Sequence, residues 1–213
     1  MPRPVLLVLA GVNGAGKSSI GGHLLARAGL AWYNPDDYAR EVMSLLDCTQ
    51  AEANGVAWTE GMRRLDAAIA SGRSFAFETT LGGKTVAAKI AAAASTHDVD
   101  IWYCGLVSPE LHIERVALRV SHGGHAISEQ KIRERYPASL LNLIRLMPHA
   151  WRIQVFDNSV TVAPGEAIPD PVRVLKCEAG RLLHPKTPAQ LRSTPDWAKP
   201  LVEAAMAAAS RPG

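Results

Sequence analysis

Val5–Ser19 has the sequence VLLVLAGVNGAGKSS, and this stretch decides the fold of the chain. A continuous apolar run enters a glycine-rich turn, and the spacing from Gly11 to Ser18 fits the phosphate-binding pattern G-x-x-x-x-G-K-[S/T]. The apolar run is typical of a buried parallel strand, and the helical spacing of apolar residues after the loop predicts a helix over about residues 17–28. A chance glycine turn would not need this order of strand, loop and helix, so we expect the chain to bind a nucleoside triphosphate.

The residues of this loop have distinct expected roles toward ATP. Successive backbone N–H groups of such a loop cradle phosphate oxygens, and the N-terminus of the following helix adds its positive end. Lys17 is expected to reach the β- and γ-phosphates, and the hydroxyl of Ser18 is expected to bind Mg²⁺. The predicted nucleotide-binding set is Gly11, Asn13, Gly14, Ala15, Gly16, Lys17, Ser18, Ser19 and, at the end of a later strand, Asn158.

Length and composition set broad limits on the class of protein. The chain has 213 residues, 47% of them hydrophobic, which is enough for one substantial core. The net charge of +3 does not indicate a dedicated nucleic-acid binder. The three cysteines are widely spaced and odd in number, as in a protein of the reducing cytosol. No apolar segment is long enough to span a membrane. We therefore expect a cytoplasmic protein with neither a membrane nor a nucleic acid as its partner.

Carboxylates follow two further predicted strands. Asp36 and Asp37 come directly after a short strand over residues 30–33, and Glu78 lies near the end of a strand over residues 74–80. Because α/β sheets bind ligands beyond the carboxyl ends of their strands, Glu78 is expected to line the site. One of the two aspartates is expected to cap the following helix and the other to face the cleft, and position alone does not decide which.

A second basic element is predicted in the middle of the chain. A helix beginning at Ser108-Pro109 is followed by the glycine-rich loop of residues 121–125 and by a new helix capped by Ser128. Mobile glycines next to guanidinium groups are what a lid that closes over phosphate requires. The basic residues of this lid, over about residues 115–135, are Arg115, Arg119, His125, Arg133 and Arg135. His122 and His125 lack a third ligand at a recognisable spacing, so phosphate or substrate contact is preferred over metal binding.

The rest of the chain predicts a final strand, a hairpin and a tail. Pro137 is expected to kink or split the second lid helix. The strand over residues 151–156 ends at Asp157-Asn158-Ser159, which forms a plain turn or lies beside the nucleotide base. Residues 172–177 and 181–183 predict a β-hairpin. The tail is expected to end in one weakly anchored helix, with disorder over residues 210–213.

Six motifs of the chain occur in a characteristic order. They are GVNGAGKSS at residues 11–19, NPDDY at 34–38, FETT at 77–80, the run from Arg115 through Arg119 to Gly123-Gly124-His125, IRERY at 132–136 and FDNS at 156–159. Together they resemble the zeta-toxin family of P-loop kinases, in particular its short stand-alone branch, over about residues 4–160. The resemblance implies an α/β fold of the P-loop NTPase type, with a mainly parallel sheet flanked by helices, a helical lid and a C-terminal β-hairpin. Residues 1–160 would form the kinase core, and residues 161–213 would add the hairpin and tail to the same domain.

The resemblance also implies an activity and a partner. Zeta toxins transfer the γ-phosphate of ATP to the 3′-hydroxyl of the amino sugar in UDP-N-acetylglucosamine, so the expected cofactors are ATP and Mg²⁺ and the expected substrate is a nucleotide sugar. An antitoxin protein would be a further partner.

The residue roles follow the same resemblance. Lys17 and Ser18 match the residues for ATP and Mg²⁺, Asp36 the catalytic base, Glu78 and Thr80 the substrate contacts, and Arg115 a phosphate clamp. The family's second clamping arginine falls in the segment Gly123-Gly124-His125, so Arg119 or Arg133 would have to replace it. The expected catalytic residues are thus Lys17, Asp36, Arg115 and Arg119, and the expected substrate contacts are Asp36, Glu78, Thr80, His125 and Arg133.

Two alternatives stay open at this point. The first is a kinase for a different alcohol, similar to chloramphenicol phosphotransferase. The second is a P-loop ATPase with a regulatory or nucleic-acid-associated role, which would use water as the acceptor. The sequence has no arginine-rich tail and no RNA-binding module to favour the second alternative.

Overall fold

A computed structural model describes residues 2–18, 21, 32–162 and 169–209 of the chain. Its strands are β1 (Val5–Ala10), β2 (Phe75–Thr79), β3 (Asp98–Gly105), β4 (Arg152–Asp157), β5 (Val172–Glu178) and β6 (Arg181–His184). Its α-helices are α1 (Pro35–Leu45), α2 (Gln50–Ser71), α3 (Lys84–Ala93), α4 (Pro109–Ser121), α5 (Glu129–Leu146), α6 (Pro188–Arg192) and α7 (Lys199–Ala209). The helix predicted after the glycine loop begins at Lys17 and Ser18. Most of its remaining residues, including Ser19, lie outside the described residues.

The six strands form one sheet in the order β2-β1-β3-β4-β5-β6. β2, β1, β3 and β4 are parallel, whereas β5 and β6 continue the sheet antiparallel. Residues Leu6–Ala10 of β1 are all buried, as expected for a central parallel strand covered on both faces. The carboxyl ends of the four parallel strands therefore meet at one edge of the sheet. The strand predicted over residues 30–33 contributes, in its described part, a single parallel bridge from Tyr33 to Phe77.

The C-terminal tail corrects one expectation. It is not weakly anchored, because Trp197, Leu201 and Val202 are buried in the same hydrophobic core as Leu6 and Val155 of the sheet. The Trp197 ring packs directly against Gly105 at the end of β3, and its Nε1 donates to Asp157 Oδ1 (3.3 Å). An alanine-rich helix buries little by itself, and here a few large side chains anchor it. Residues 210–213, predicted to be disordered, lie outside the described residues.

Pro137 does not split the second lid helix. α5 runs from Glu129 to Leu146 with the proline inside it, at the cost of one backbone hydrogen bond. Contacts on the C-terminal side of the proline hold the helix in place. The hydroxyl of Ser139 donates to Thr80 O (2.7 Å), and Asn142 Nδ2 donates to Leu81 O (2.8 Å). Tertiary contacts therefore outweigh the local effect of proline.

The predicted hairpin is present as β5 and β6. Since β5 pairs with β4, the hairpin extends the main sheet instead of forming a separate layer. Within the described residues, no helix has both the length and the apolar character needed to cross a bilayer.

Candidate active site

The loop between β1 and the following helix has the backbone that its glycines predict. Gly11 has φ +141° and Gly16 has φ +84°, backbone conformations that residues with a side chain rarely adopt. Space is equally restrictive, because a Cβ at Gly11 would lie 2.2 Å from Cys104 O and one at Gly16 would lie 2.5 Å from Asn158 Nδ2. The loop is thus packed tightly against the ends of neighbouring strands, with its backbone in a fixed shape suited to phosphate.

Two side chains hold the loop backbone from the outside. Asn158 Nδ2 donates to Ala15 O (2.9 Å), so its contact in this structure is with the loop itself. His112 on α4 is buried and bonds through Nδ1 to Asn13 O (2.8 Å). Burial lowers the pKa of His112 to about 4, so the ring is neutral at pH 7 and donates from Nδ1. No pattern in the sequence marked His112, since a single histidine among apolar helix positions resembles an ordinary core residue.

Lys17, Ser18 and Glu78 form a polar cluster in which the lysine and the glutamate are buried. Glu78 Oε1 lies 3.4 Å from Lys17 Nζ, and Glu78 Oε2 accepts from Ser18 Oγ (3.0 Å). Both charged side chains are less than a tenth exposed, so each compensates the buried charge of the other. The register explains the contact, because Glu78 lies opposite Leu9 on the strand next to β1. The structure therefore places Glu78 at the loop end of the site.

The oxygens of Ser18 and Glu78 fit a magnesium ion. Mg²⁺ prefers hard oxygen ligands, keeps several waters and is commonly shared with substrate phosphates, so one hydroxyl and one carboxylate suffice on the protein side. Among the described residues, no group of three or more His, Cys, Asp or Glu side chains could hold a metal by itself. The two oxygens would hold the ion only together with the phosphates of a nucleotide.

Asp36 and Asp37 both lie in the first turn of α1, and neither caps the helix. The N-cap is Asn34, whose Oδ1 accepts from the backbone N–H of Asp36 (2.9 Å). Pro35 keeps Asn34 in an extended conformation, which is the conformation that an N-cap requires. Asp37 pairs with Arg40 on the exposed side of the helix. Asp36 instead faces the pocket, so the expectation that one aspartate is the cap is wrong.

The lid meets Asp36 through Arg119 and His125. Arg119 Nη2 donates to His125 O (2.9 Å), which fastens the glycine loop to the end of α4. Arg119 Nη1 and His125 Nε2 each lie 3.8 Å from a carboxylate oxygen of Asp36. Burial lowers the pKa of His125, which favours its neutral form. Three residues predicted from the sequence are thus brought together.

Arg135 was predicted only as one of the basic residues of the lid, and the structure places it in the pocket. Its Nη1 donates to Asn13 Oδ1 (2.7 Å), its stem packs against Gly82, and it lines the same pocket as Asp36. Burial lowers the pKa of the guanidinium, which stays charged at neutral pH. Helical phase was the available signal, because Arg135 shares one face of α5 with the fully buried Ile132 and Ser139.

Other predicted residues lie around or outside this pocket. Thr80 lines it. Arg115 lies beside the loop near Gly14, and its Nη2 donates to Val160 O (2.9 Å). Arg133 is exposed and pairs with Glu110 (2.5 Å), away from Asp36, so the structure does not bring it to the pocket. Arg133 is therefore a poor replacement for a second clamping arginine.

The pocket itself has a volume of about 240 Å³ and runs from the loop to α2. Its polar lining includes Asn13, Lys17, Asp36, Glu78, Thr80, His125 and Arg135. Its apolar lining includes Tyr33, Ala57, Trp58, Met62, Phe77, Val86 and Ile127. A polar end with charges of both signs thus opens into an apolar compartment that includes three aromatic side chains, which suits an organic ligand placed next to the phosphates.

Solved structures share this fold at low sequence identity. The structure of AvrRxo1-ORF1:-ORF2 with ATP matches with a TM-score of 0.60 and 17% identity, over 84% of this chain and 60% of that chain. The PezAT toxin–antitoxin system of Streptococcus pneumoniae matches with a TM-score of 0.56 and 15% identity, over 74% of this chain and 68% of that chain. The chain therefore spans less than two thirds of the AvrRxo1 chain that it resembles. No curated protein matches the sequence.

The family comparison covers the part of the chain that builds the site. Residues 1–163 match the sequence profile of the Zeta toxin family, from the strand before the glycine loop to just beyond Asn158. The mostly parallel sheet flanked by helices has the architecture of P-loop kinases, as the motifs predicted. By the extent of this match and by its fold, the chain belongs to the Zeta toxin family.

Proposed function

We propose that the protein is an ATP-dependent phosphotransferase that moves the γ-phosphate of ATP to a hydroxyl group of a nucleotide sugar such as UDP-N-acetylglucosamine. The observation that carries the proposal is the position of Asp36, whose carboxylate shares one pocket with Lys17 of the phosphate-binding loop. An ATPase that uses water has no need of the apolar compartment beside this carboxylate, whereas an alcohol acceptor does.

The glycine loop would bind ATP, the phosphate donor. Its backbone N–H groups and Lys17 would hold the phosphates of ATP. Lys17 and Ser18 would then exchange their present contacts with Glu78 for contacts with the nucleotide and its metal ion. Bound Mg²⁺ would neutralise charge on the phosphate oxygens. Asn158 and His112 would keep the loop in the required shape, because both hold its backbone carbonyl groups.

Asp36 and the basic residues around it would act on the acceptor hydroxyl and on the transferring phosphoryl group. Asp36 would accept the proton of the attacking hydroxyl group. The guanidinium groups of Arg119 and Arg135 would stabilise the charge on the transferring phosphoryl group, which is mostly a task of positioning and electrostatics. Arg135 replaces Arg133 in this role, because only Arg135 lines the pocket. Arg115 remains a candidate clamp at the nucleotide side, next to the loop.

An antitoxin partner belongs to the same proposal. PezAT is a toxin–antitoxin system, and AvrRxo1-ORF1 was solved together with ORF2. We propose that this chain, too, is bound by a partner protein that blocks its activity. Co-expression with the products of adjacent open reading frames, followed by co-purification, tests the idea, and growth arrest that no such product relieves contradicts it.

The test of the activity is direct. The protein is incubated with ATP, Mg²⁺ and a panel of nucleotide sugars, and products are analysed by mass spectrometry for the gain of one phosphate. We expect such a product from UDP-N-acetylglucosamine or a close analogue. ATP hydrolysis at the same rate with and without every acceptor, and with no heavier product, would contradict the kinase assignment and favour an ATPase.

A further inference from the structure

The ring of His125, on the lid, lines the pocket next to the proposed base. The side chain is only 14% exposed, and its Nε2 atom is buried. Among the residues that the structure describes, this nitrogen has no hydrogen-bond partner. Because a buried polar atom without a partner costs free energy, its place in the pocket requires an explanation.

The group that Nε2 faces is the carboxylate of Asp36. Nε2 lies 3.8 Å from Asp36 Oδ1, and a shift of about 1 Å would bring the two atoms to hydrogen-bond distance. The other carboxylate oxygen, Oδ2, lies 3.8 Å from Arg119 Nη1. The backbone of His125 is held in place, because its carbonyl oxygen accepts from Arg119 Nη2 (2.9 Å). The imidazole and the guanidinium thus face different oxygens of the same carboxylate.

The surroundings of His125 favour a neutral ring before the reaction. Burial is the main cause that lowers its pKa. The carboxylate of Asp36 raises this pKa, whereas the guanidinium groups of Arg119 and Arg40 lower it. Arg135 of α5 lines the same pocket and adds positive charge near Asp36. A neutral imidazole can accept a proton, which a guanidinium group cannot do.

We propose that His125 is the second carrier of the acceptor proton, which its Nε2 takes from Asp36. The proposal rests on the function proposed above. The acceptor oxygen forms its bond to the γ-phosphorus, the bond from this phosphorus to the oxygen that bridges to the β-phosphate breaks, and the hydroxyl proton moves to the Asp36 carboxylate. Asp36 then passes the proton to His125 and returns to its charged form.

The transferred phosphoryl group explains why the proton moves in this direction. Its negative charge enters the pocket during the reaction and stabilises an imidazolium ion beside it. When the phosphorylated product leaves, burial and the nearby guanidinium groups again favour the neutral ring, and the proton passes to water. His122 lies three positions earlier in the lid and serves as a comparison, because it is exposed and its Nδ1 bonds to Leu118 O (2.8 Å).

The first test needs no enzymatic activity. Histidine ring signals of the native protein and of Asp36→Asn are followed by NMR between pH 4.5 and 8, and His122→Gln and His125→Gln assign the two lid signals. We expect Asp36→Asn to lower the pKa of His125, because the carboxylate that raises it is gone. An unchanged His125 titration in Asp36→Asn overturns the proposal.

The second test measures kcat and the KM of the acceptor, which is the nucleotide sugar of the panel that the native protein phosphorylates fastest. We expect His125→Gln to lower kcat by about tenfold or more and to keep KM within about threefold of native, because glutamine forms hydrogen bonds but cannot carry the proton. His122→Gln is the matched control and should keep native values of both.

The pH dependence of kcat separates a proton carrier from a positioning residue. The native kcat should fall as the pH drops through the pKa of His125, because an imidazolium ion cannot accept a second proton. His125→Gln should lose this part of the profile. Native kcat in His125→Gln, a loss confined to KM, or a lower kcat with the native pH dependence overturns the proposal. A native protein that phosphorylates no acceptor would instead overturn the phosphotransferase itself.

Discussion

Asp36 and Asp37 are neighbours in the sequence, yet the structure gives them opposite surroundings. Successive side chains on a helix point about 100° apart, so the first turn of α1 directs one carboxylate to the pocket and the other to Arg40 outside. Asn34 supplies the cap, which frees Asp36 from a structural task. At the scale of single residues, this pair offers a matched comparison for the proposed base.

We expect Asp36→Asn to lower kcat for phosphoryl transfer by about 100-fold or more, because the amide cannot accept the proton of the acceptor hydroxyl. The affinity for ATP should change little, since Asp36 is not part of the loop. Rates come from a product assay and ATP affinity from calorimetry. Asp37→Asn is the control and should keep nearly native activity; full transfer by Asp36→Asn would remove this residue as the base.

Arg133 and Arg135 provide a second matched pair. They are two positions apart on α5 and therefore lie on different faces, one paired with Glu110 at the surface and the other bonded to Asn13 in the pocket. We expect Arg135→Gln to reduce kcat by about 100-fold through loss of charge stabilisation on the phosphoryl group. Arg133→Gln should leave kcat within about twofold of native, as is usual for an exposed pair. Equal losses in both variants would contradict the assignment.

At the scale of elements, α4 is the support of the phosphate-binding loop. Its N-terminal half carries His112, which bonds to Asn13, and its C-terminal end carries Arg119, which faces Asp36. The helix begins at a Ser108 cap followed by Pro109, as the sequence predicted. One rigid helix thus spans the distance between the loop and the lid.

The buried His112 predicts a definite pH dependence of stability. Its pKa is about 4 in the folded protein and near 6.5 in the unfolded chain, so between these values only the unfolded chain binds the proton. The contribution of the neutral His112 ring to the free energy of unfolding is therefore complete above pH 6.5 and is lost as the pH falls toward 4. It amounts to about 3 kcal/mol. Urea unfolding of native protein and His112→Asn at pH 7.5, 5.5 and 4.5 measures it. The difference in free energy of unfolding between the native protein and His112→Asn should shrink at low pH.

His149 is the control for this measurement because it is exposed. His149→Asn, a substitution at the surface, should reproduce the native pH profile of the free energy of unfolding. If the free energies of unfolding of the native protein and of His112→Asn differ by the same amount at all three pH values, His112 does not take up a proton on unfolding.

At the scale of the whole molecule, the C-terminal segment completes the core. β5 and β6 extend the sheet beyond β4, and α7 brings Leu201, Val202 and Ala205 into the main hydrophobic cluster. Trp197 contacts Gly105 and Asp157, next to the turn that holds the loop through Asn158. The region beyond the family match thus supports the part of the site next to the glycine loop.

We expect Leu201→Ala to lower the free energy of unfolding by about 2–5 kcal/mol, because it leaves a cavity in a core position that is 1% exposed. Leu118→Ala makes the same change on α4 where the side chain is 61% exposed, and it should cost less than about 0.5 kcal/mol. Urea titration compares both with the native protein. A Leu201→Ala variant as stable as Leu118→Ala would contradict the anchored tail and support the weakly anchored helix predicted from the sequence.

The sequence by itself determined the phosphate-binding loop, the parallel strands around it and the strand-end position of Glu78. These depend on local rules, namely glycine at positive φ, apolar runs in buried strands and turn chemistry at strand ends. Tertiary structure alone decided that Arg135, and not Arg133, lines the pocket. It also decided that Arg119 on α4 meets Asp36 and that the tail is part of the core. The physical reason is that these features depend on which face of each helix packs against elements distant in sequence, and the periodicity of one helix does not specify its partner.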